Sequence, residues 1–222
     1  MYFFFYFFIY LNGDKLKNKM LQELKKNKYK YIYLITIIII GFLSGIILSN
    51  ILSYNDQKEI SNLINEYFIN LKEDIPINYF HNLLNSLLIN FSYVITFFIL
   101  SMSIIGLILN PFILFIKSFI IGFSVGIMIS IYSFNGILLG IFAVFPHQII
   151  NLFVYLIITF FSIKLSLNLF KLIFLKKQFN FSLILKKYLI VLGILSIILI
   201  ISSLYEAFLS DFILKVFTFF LN

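Results

Sequence analysis

Five stretches of this chain contain almost nothing that water can solvate, which leaves few places where they can fold. A helix rises 1.5 Å per residue, so about 20 apolar residues cross roughly 30 Å of hydrocarbon. Four stretches meet that requirement plainly: 31–52, 87–109, 136–163 and 188–205. A fifth, 111–132, meets it with Lys117 inside. Only Asn110 and Pro111 separate the second from the third, so those two read as a tight helical hairpin, fully spanning or re-entrant. Composition agrees, with 62% hydrophobic residues, 12% charged and a mean hydropathy of +1.05. A soluble domain carries about 25% charged residues; this chain cannot cover a water-facing surface. The sequence predicts an all-α fold, a single membrane domain with five transmembrane helices.

The charges fix an orientation. Segment 14–30 holds seven Lys against Asp14 and Glu23, and segment 164–187 holds six Lys and no acid. Segment 53–82 holds Lys58 and Lys72 against Asp56, Glu59, Glu66, Glu73 and Asp74; the tail 206–222 holds Glu206, Asp211 and Lys215. The positive-inside rule places the N-terminus and 164–187 in the cytoplasm, and 53–82 and the C-terminus outside. Five spans satisfy all four assignments, whereas four or six do not. Lys117 then falls one to two turns inside the cytoplasmic end of its span, where its stem can snorkel. A net charge of +8 would suggest nucleic acid in a soluble protein. Here it sets orientation, and the partner it implies is the lipid bilayer, not nucleic acid. The 164–187 segment alternates Lys with Leu, Phe and Ile, as a surface helix held by anionic lipid does.

Several chemistries are excluded. Without Cys there are no disulfides, thiolate metal sites or Cys nucleophiles. Two His and nine scattered acids do not suggest a metal cage. No P-loop, dinucleotide fingerprint, zincin motif or nucleophile elbow occurs, so neither a catalytic residue nor a cofactor is expected. The apolar run in 1–13 is too short to span and lacks a signal peptide's basic start. It reads as translation mis-called upstream of Met20, or as an interfacial anchor.

Three features remain. Six of nine glycines pair four residues apart, Gly41 with Gly45, Gly122 with Gly126 and Gly136 with Gly140. Small residues at that spacing let helices approach closely in lipid, within one chain or across a homodimer seam. Span four contains Pro146, His147 and Gln148 near its middle, read either as a structural kink with polar partners or as a proton or substrate site. In the 53–82 loop, Ile60, Leu63, Ile64, Tyr67, Phe68 and Leu71 follow helical spacing. Asp56 with Glu59 resembles a capping box at the start of this helix, and Pro76 ends it. Asn78, Asn82, Ser86 and Asn90 then step by four into span two, a stripe expected to face another helix. The loop helix lies on the outer leaflet or serves as a docking platform through Ile64, Tyr67, Phe68, Leu71, Asn78, Asn82 and Glu206.

From about Lys15 to the C-terminus the chain resembles the stage II sporulation protein M family of endospore-forming bacteria. The resemblance rests on Phe80-His81-Asn82-Leu83, Ser103-Ile104-Ile105-Gly106-Leu107, Phe115-Ile116-Lys117 and Gly122-Phe123-x-x-Gly126. Gly136-x-Leu138-Leu139, Pro146 with Gln148, and Glu206-Ala207 continue it in order. The 1–13 extension and Pro111 depart from the family pattern. The resemblance implies a membrane component of the engulfment machinery at the mother-cell membrane and septum. Such a component anchors the peptidoglycan-degrading stage II sporulation proteins D and P and has no chemistry of its own. The alternative is a permease-like or exporter membrane subunit working through Lys117 and the Pro146–Gln148 break. The scarcity of ionisable groups within the spans favours the scaffold.

Overall fold

The computed structural model describes residues 27–72, 78–176, 180–210 and 213–215. The 1–13 extension, most of the basic 14–30 segment, Pro76 and the side chain of Leu71 lie outside the described residues. The described elements are all helical: α1 (Lys28–Ile51), α2 (Tyr54–Lys72), α3 (Tyr79–Ser101), α4 (Gly106–Leu139), α5 (Phe145–Phe174) and α6 (Phe181–Tyr205). Two π-helical segments, Gly140–Val144 and Glu206–Ser210, follow α4 and α6. Five helical stretches are long and apolar enough to cross a membrane.

α4 is two helices joined by a reversal. Ser133 adopts φ 50°, ψ −121°, a region that L-residues avoid. Beyond it, Gly136 lies against the Met128 carbonyl and Gly140 against the Val125 side chain. In an unbroken helix those pairs would sit about 12 and 22 Å apart along the axis, so the chain folds back at Ser133. This is the boundary expected between 132 and 136.

Hydrogen bonds set the direction of the other helices. Tyr155 bonds Asn90, Ser162 bonds Phe97 and Ser166 bonds Ser101, each pair 65 residues apart, so α3 and α5 run parallel. α6 runs against both, bringing Ser203 to Asn90 and Tyr188 to Ser162. α1 runs with 106–132, with Gly41 beside Phe115 and Gly126 beside Ser49. Direction therefore alternates across five segments. One end of the bundle carries α2, Ser133 and Glu206; the other carries Lys28, the 102–105 turn and Lys176. We call them the acidic end and the lysine end. Between them lies a core with Phe97, Tyr155, Phe160 and Tyr188 among its largest buried side chains.

Several boundaries differ from those read in the sequence. α5 continues to Phe174 and α6 begins at Phe181, so Lys164, Lys171, Lys186 and Lys187 extend those two helices and do not belong to a separate surface helix over 164–187. The second span is Tyr79–Ser101, eight residues earlier at each end than 87–109. Its polar start is tolerated because Asn78 is the N-cap, its Oδ1 accepting from the His81 backbone N–H at 3.0 Å, while Ser86 and Asn90 are buried against other helices. The turn to the third span then falls at 102–105, where Ser103 Oγ accepts from the Ile105 N–H at 3.0 Å. Pro111 consequently sits in the second turn of α4 and deprives only the Leu107 carbonyl of its helical donor. Lys117 moves with this shift: eleven residues from the start of α4, it lies about 16 Å along the helix and is only 7% exposed. It does not snorkel to an interface.

Candidate functional site: a buried polar seam and the helix that covers it

The paired glycines hold the frame. A Cβ at Gly45 or Gly122 would overlap backbone of the facing helix, Phe119 and Phe123 in one case and Phe42 in the other; one at Gly126 would meet Ser49 Oγ just as closely, and one at Gly41 the Phe115 carbonyl somewhat less so. Ser118 Oγ donates across the same seam to the Ile38 carbonyl at 2.6 Å. Gly41, Gly45, Gly122 and Gly126 thus form one contact between α1 and α4, while Gly136 and Gly140 close the hairpin at Ser133. All six glycines pack against neighbours within the single chain.

Pro146 follows a π-helical turn. The Phe145 N–H bonds the Gly140 carbonyl, five residues back, and this wider turn accommodates a proline in the first turn of α5. The kink expected mid-helix is therefore a change of helix type at the helix start. The His147 carbonyl is capped from outside by Ser202 Oγ at 3.1 Å. Gln148 does not serve as expected: its Oε1 is buried without a hydrogen-bond partner.

The sequence reading missed the acid beside His147. Glu206, read as part of an outer tail, turns into the bundle just after α6. Its Oε1 lies 3.9 Å from His147 Nε2, and its Oε2 accepts from Ser86 Oγ at 2.5 Å. A chain of bonds leads inward from there. Asn90 Nδ2 donates to Ser203 Oγ at 2.9 Å and to Ser86 Oγ at 3.5 Å, and Asn90 Oδ1 accepts from Tyr155 Oη at 2.7 Å. The next group inward is Lys117, whose Nζ stands 5.0 Å from the Tyr93 ring centroid and 6.0 Å from that of Tyr155. Every donor along this chain points toward the carboxylate, and the ammonium stands at the far end. The dipoles are therefore aligned between the two charges. Four helices contribute: Ser86, Asn90 and Tyr93 from α3, Lys117 from α4, His147 and Tyr155 from α5, and Ser203 with the adjoining Glu206 from α6.

The stripe continues along α5 past Tyr155. His147, Asn151, Tyr155, Thr159, Ser162 and Ser166 are all buried and recur every three or four residues. This was legible as a spacing signal, because an all-apolar core needs no such pattern. The placement of Glu206 beside this stripe depended on tertiary structure.

α2 covers the acidic end, and it starts one turn earlier than the predicted cap. Ser53 is its cap: Oγ accepts from the Asp56 N–H at 3.3 Å and donates to Asp56 Oδ2 at 2.7 Å. The predicted apolar face divides in two. Phe68 is buried with Leu139, and Ile64 packs beside it with Met128, Tyr132 and Leu214. Tyr132 Oη donates to Asn65 Oδ1 at 2.7 Å and its ring lies 5.7 Å from that of Phe68. Phe68 therefore packs within the chain, with Ile64 partly buried beside it, and Glu206 turns toward His147 and Ser86. Leu63 and Tyr67 lie on the other side, 63% and 41% exposed. Asn78 caps α3, and Asn82 follows at the rim one turn further on.

Five apolar segments alternating in direction around a polar seam define a multi-pass membrane protein of helical-bundle type. The model of the family described as stage II sporulation protein M matches residues 34–211, from α1 through the segment after Glu206. The chain belongs to that family, a sporulation-related family of membrane proteins not known as enzymes. No curated protein and no solved structure matches the chain.

Proposed function

We propose that the protein is a non-enzymatic scaffold in the mother-cell membrane and septum. There it anchors and localises peptidoglycan-degrading enzymes, stage II sporulation proteins D and P, during engulfment. In this reading the lysine end faces the cytoplasm and the acidic end faces outward, where those enzymes act. The observation that carries the proposal is the build of α2. Its inner face is fixed to the bundle by Phe68 and by the Tyr132–Asn65 bond. Its outer face presents Leu63 and Tyr67, with Glu59 and Glu66 beside them, all exposed. A helix anchored on one face and offering an apolar pair flanked by acids is a docking surface that loses little entropy on binding.

Leu63→Ala with Tyr67→Ala is expected to release both hydrolases in co-purification from sporulating cells, with membrane level and thermal stability unchanged. Phe68→Ala, which opens the inner contact, is expected to lower stability by about 3–5 kcal/mol. Co-purification of both hydrolases at wild-type yield by the Leu63/Tyr67 variant removes α2 as the platform.

A further inference from the structure

The polar seam does more than a scaffold needs. Holding helices together requires satisfied hydrogen bonds, and several groups in the seam find no partner in the protein. Among the described residues, Lys117 forms no hydrogen bond or ion pair, although an ammonium carries three donors. Both amide atoms of Asn110 and of Asn151, and the Thr159 hydroxyl, are also buried without a partner. Buried polar groups find partners nearly always, in protein or in water. Groups of this kind are the ones that buried water bonds.

The order of groups along the seam matters. Glu206 has a side chain 36% exposed and opens on the solvent at the acidic end. His147 follows at 3.9 Å, then Asn151 one turn further along α5, then Tyr155 and Lys117 one turn beyond that. Toward the lysine end the seam carries Thr159, Ser162 with Tyr188 at 2.7 Å, Ser166 bonded to the Ser101 carbonyl at 3.1 Å, and Asn110. The buried stripe from His147 to Ser166 covers about 28 Å of helix, close to the thickness of the hydrocarbon.

We propose that this seam is a proton path through the bundle, with Lys117 as its central carrier and Glu206 with His147 as its mouth. Glu206 accepts a proton from the solution at the acidic end and yields it to His147. The imidazole releases it to water bonded by the Asn151 amide, and that water passes it to Lys117 in its neutral amine form, which becomes an ammonium and then gives it up toward the lysine end. Only N–H and O–H bonds form and break, and one proton enters for each that leaves. Lys117 lies against two tyrosine rings and, among the described residues, no carboxylate stands beside it, so no salt bridge fixes its proton. The groups facing Lys117 are Tyr93 from α3, Tyr155 from α5 and, at longer range, Glu206. Among the described residues, Glu206 and the Tyr205 ring at 6.3 Å face His147. Asn90 is a positioning residue: an amide does not relay a proton readily, and its bonds hold Tyr155 and Ser86 in place. The proposal is independent of the scaffold reading, since either can fail alone.

The purified full-length protein in liposomes, with a potassium gradient and valinomycin imposing a potential, tests this through a pH-sensitive dye enclosed in the vesicles. Proton flux above that of protein-free vesicles is expected for the wild type and for Gly193→Ala, whose added Cβ meets nothing within 4 Å. Lys117→Gln, and separately Glu206→Gln, which can still accept from Ser86, are expected to return the flux to the protein-free level. If Lys117→Gln does not purify as a monodisperse species, Glu206→Gln and His147→Gln decide the matter. Wild-type flux equal to that of protein-free vesicles overturns the proposal. So does flux that survives in folded Lys117→Gln and Glu206→Gln, or current carried by chloride instead of protons.

Discussion

Gly122→Ala adds one methyl group at the centre of the α1–α4 contact. The three atoms it would meet are the Phe42 carbonyl oxygen, carbonyl carbon and Cα, all backbone and all inside contact distance. No side chain can rotate away, so the helices themselves must separate. Restoring an ordinary contact, which begins at 3.4 Å, moves one backbone from the other by roughly 1 Å. A gap of that size forfeits a quarter to a half of the dispersion attraction at each lining atom. Overpacking of this kind costs about 1–3 kcal/mol. The separation also stretches the bond from Ser118 to the Ile38 carbonyl, worth about 0.5–1.5 kcal/mol. Together they predict a loss of about 2–4 kcal/mol, or on the order of 5–15 °C in Tm for a chain of this length. Gly140→Ala is the matched control, because its Cβ would meet only Val125 methyl groups at 3.6 and 3.8 Å. Thermal melting of the detergent-solubilised protein, followed by loss of the monodisperse peak in size-exclusion chromatography, measures both variants. If Gly122→Ala melts with the wild type, or if Gly140→Ala melts lower than Gly122→Ala, the close approach of α1 and α4 is not what holds the bundle.

Two further outcomes follow from the same geometry. Tyr155→Phe strips Asn90 Oδ1 of its donor inside the bundle and should cost about 1–3 kcal/mol; Asn90→Leu combined with it should cost less than the sum of the two, since the stranded acceptor is then gone. Additive losses in a double-mutant cycle would mean that the two residues do not form one network. For orientation, single Cys residues at Asn62, on the exposed face of α2, and at Ser182, near the start of α6, should react oppositely with an impermeant thiol reagent in intact cells. Labelling at Ser182 but not at Asn62 would reverse the orientation.

Much of the fold was legible because a bilayer imposes its requirement locally. Each span must satisfy its own backbone and be long enough to cross, so length and hydropathy mark it without knowledge of its neighbours. The boundary near Ser133 was read the same way, whereas the start of α2 falls at Ser53, one turn before the Asp56 cap that the sequence suggested. The α3 boundary was not legible in this way, because Asn82, Ser86 and Asn90 look too polar for a span until other helices are in place to receive two of them. A polar residue entering the membrane is ambiguous in sequence, and whether it ends a helix or lines a seam depends on what lies across from it.

The candidate site divides along the same line. The sequence by itself determined which residues lie along one helical face: the glycine pairs, the His147–Asn151–Tyr155 stripe, and Lys117 within an apolar run. Periodicity is a local property, and 3.6 residues per turn carry it. Only the tertiary structure decided that Gly41 and Gly45 meet Gly122 and Gly126 within one chain, and that Phe68 faces inward while Tyr67 faces out. It alone carried Glu206 back from the end of α6 to within reach of Ser86, 120 residues away in sequence, and of His147. No local pattern encodes such a meeting, because what brings a carboxylate to an imidazole is the direction and register of whole helices, set by packing along their full length.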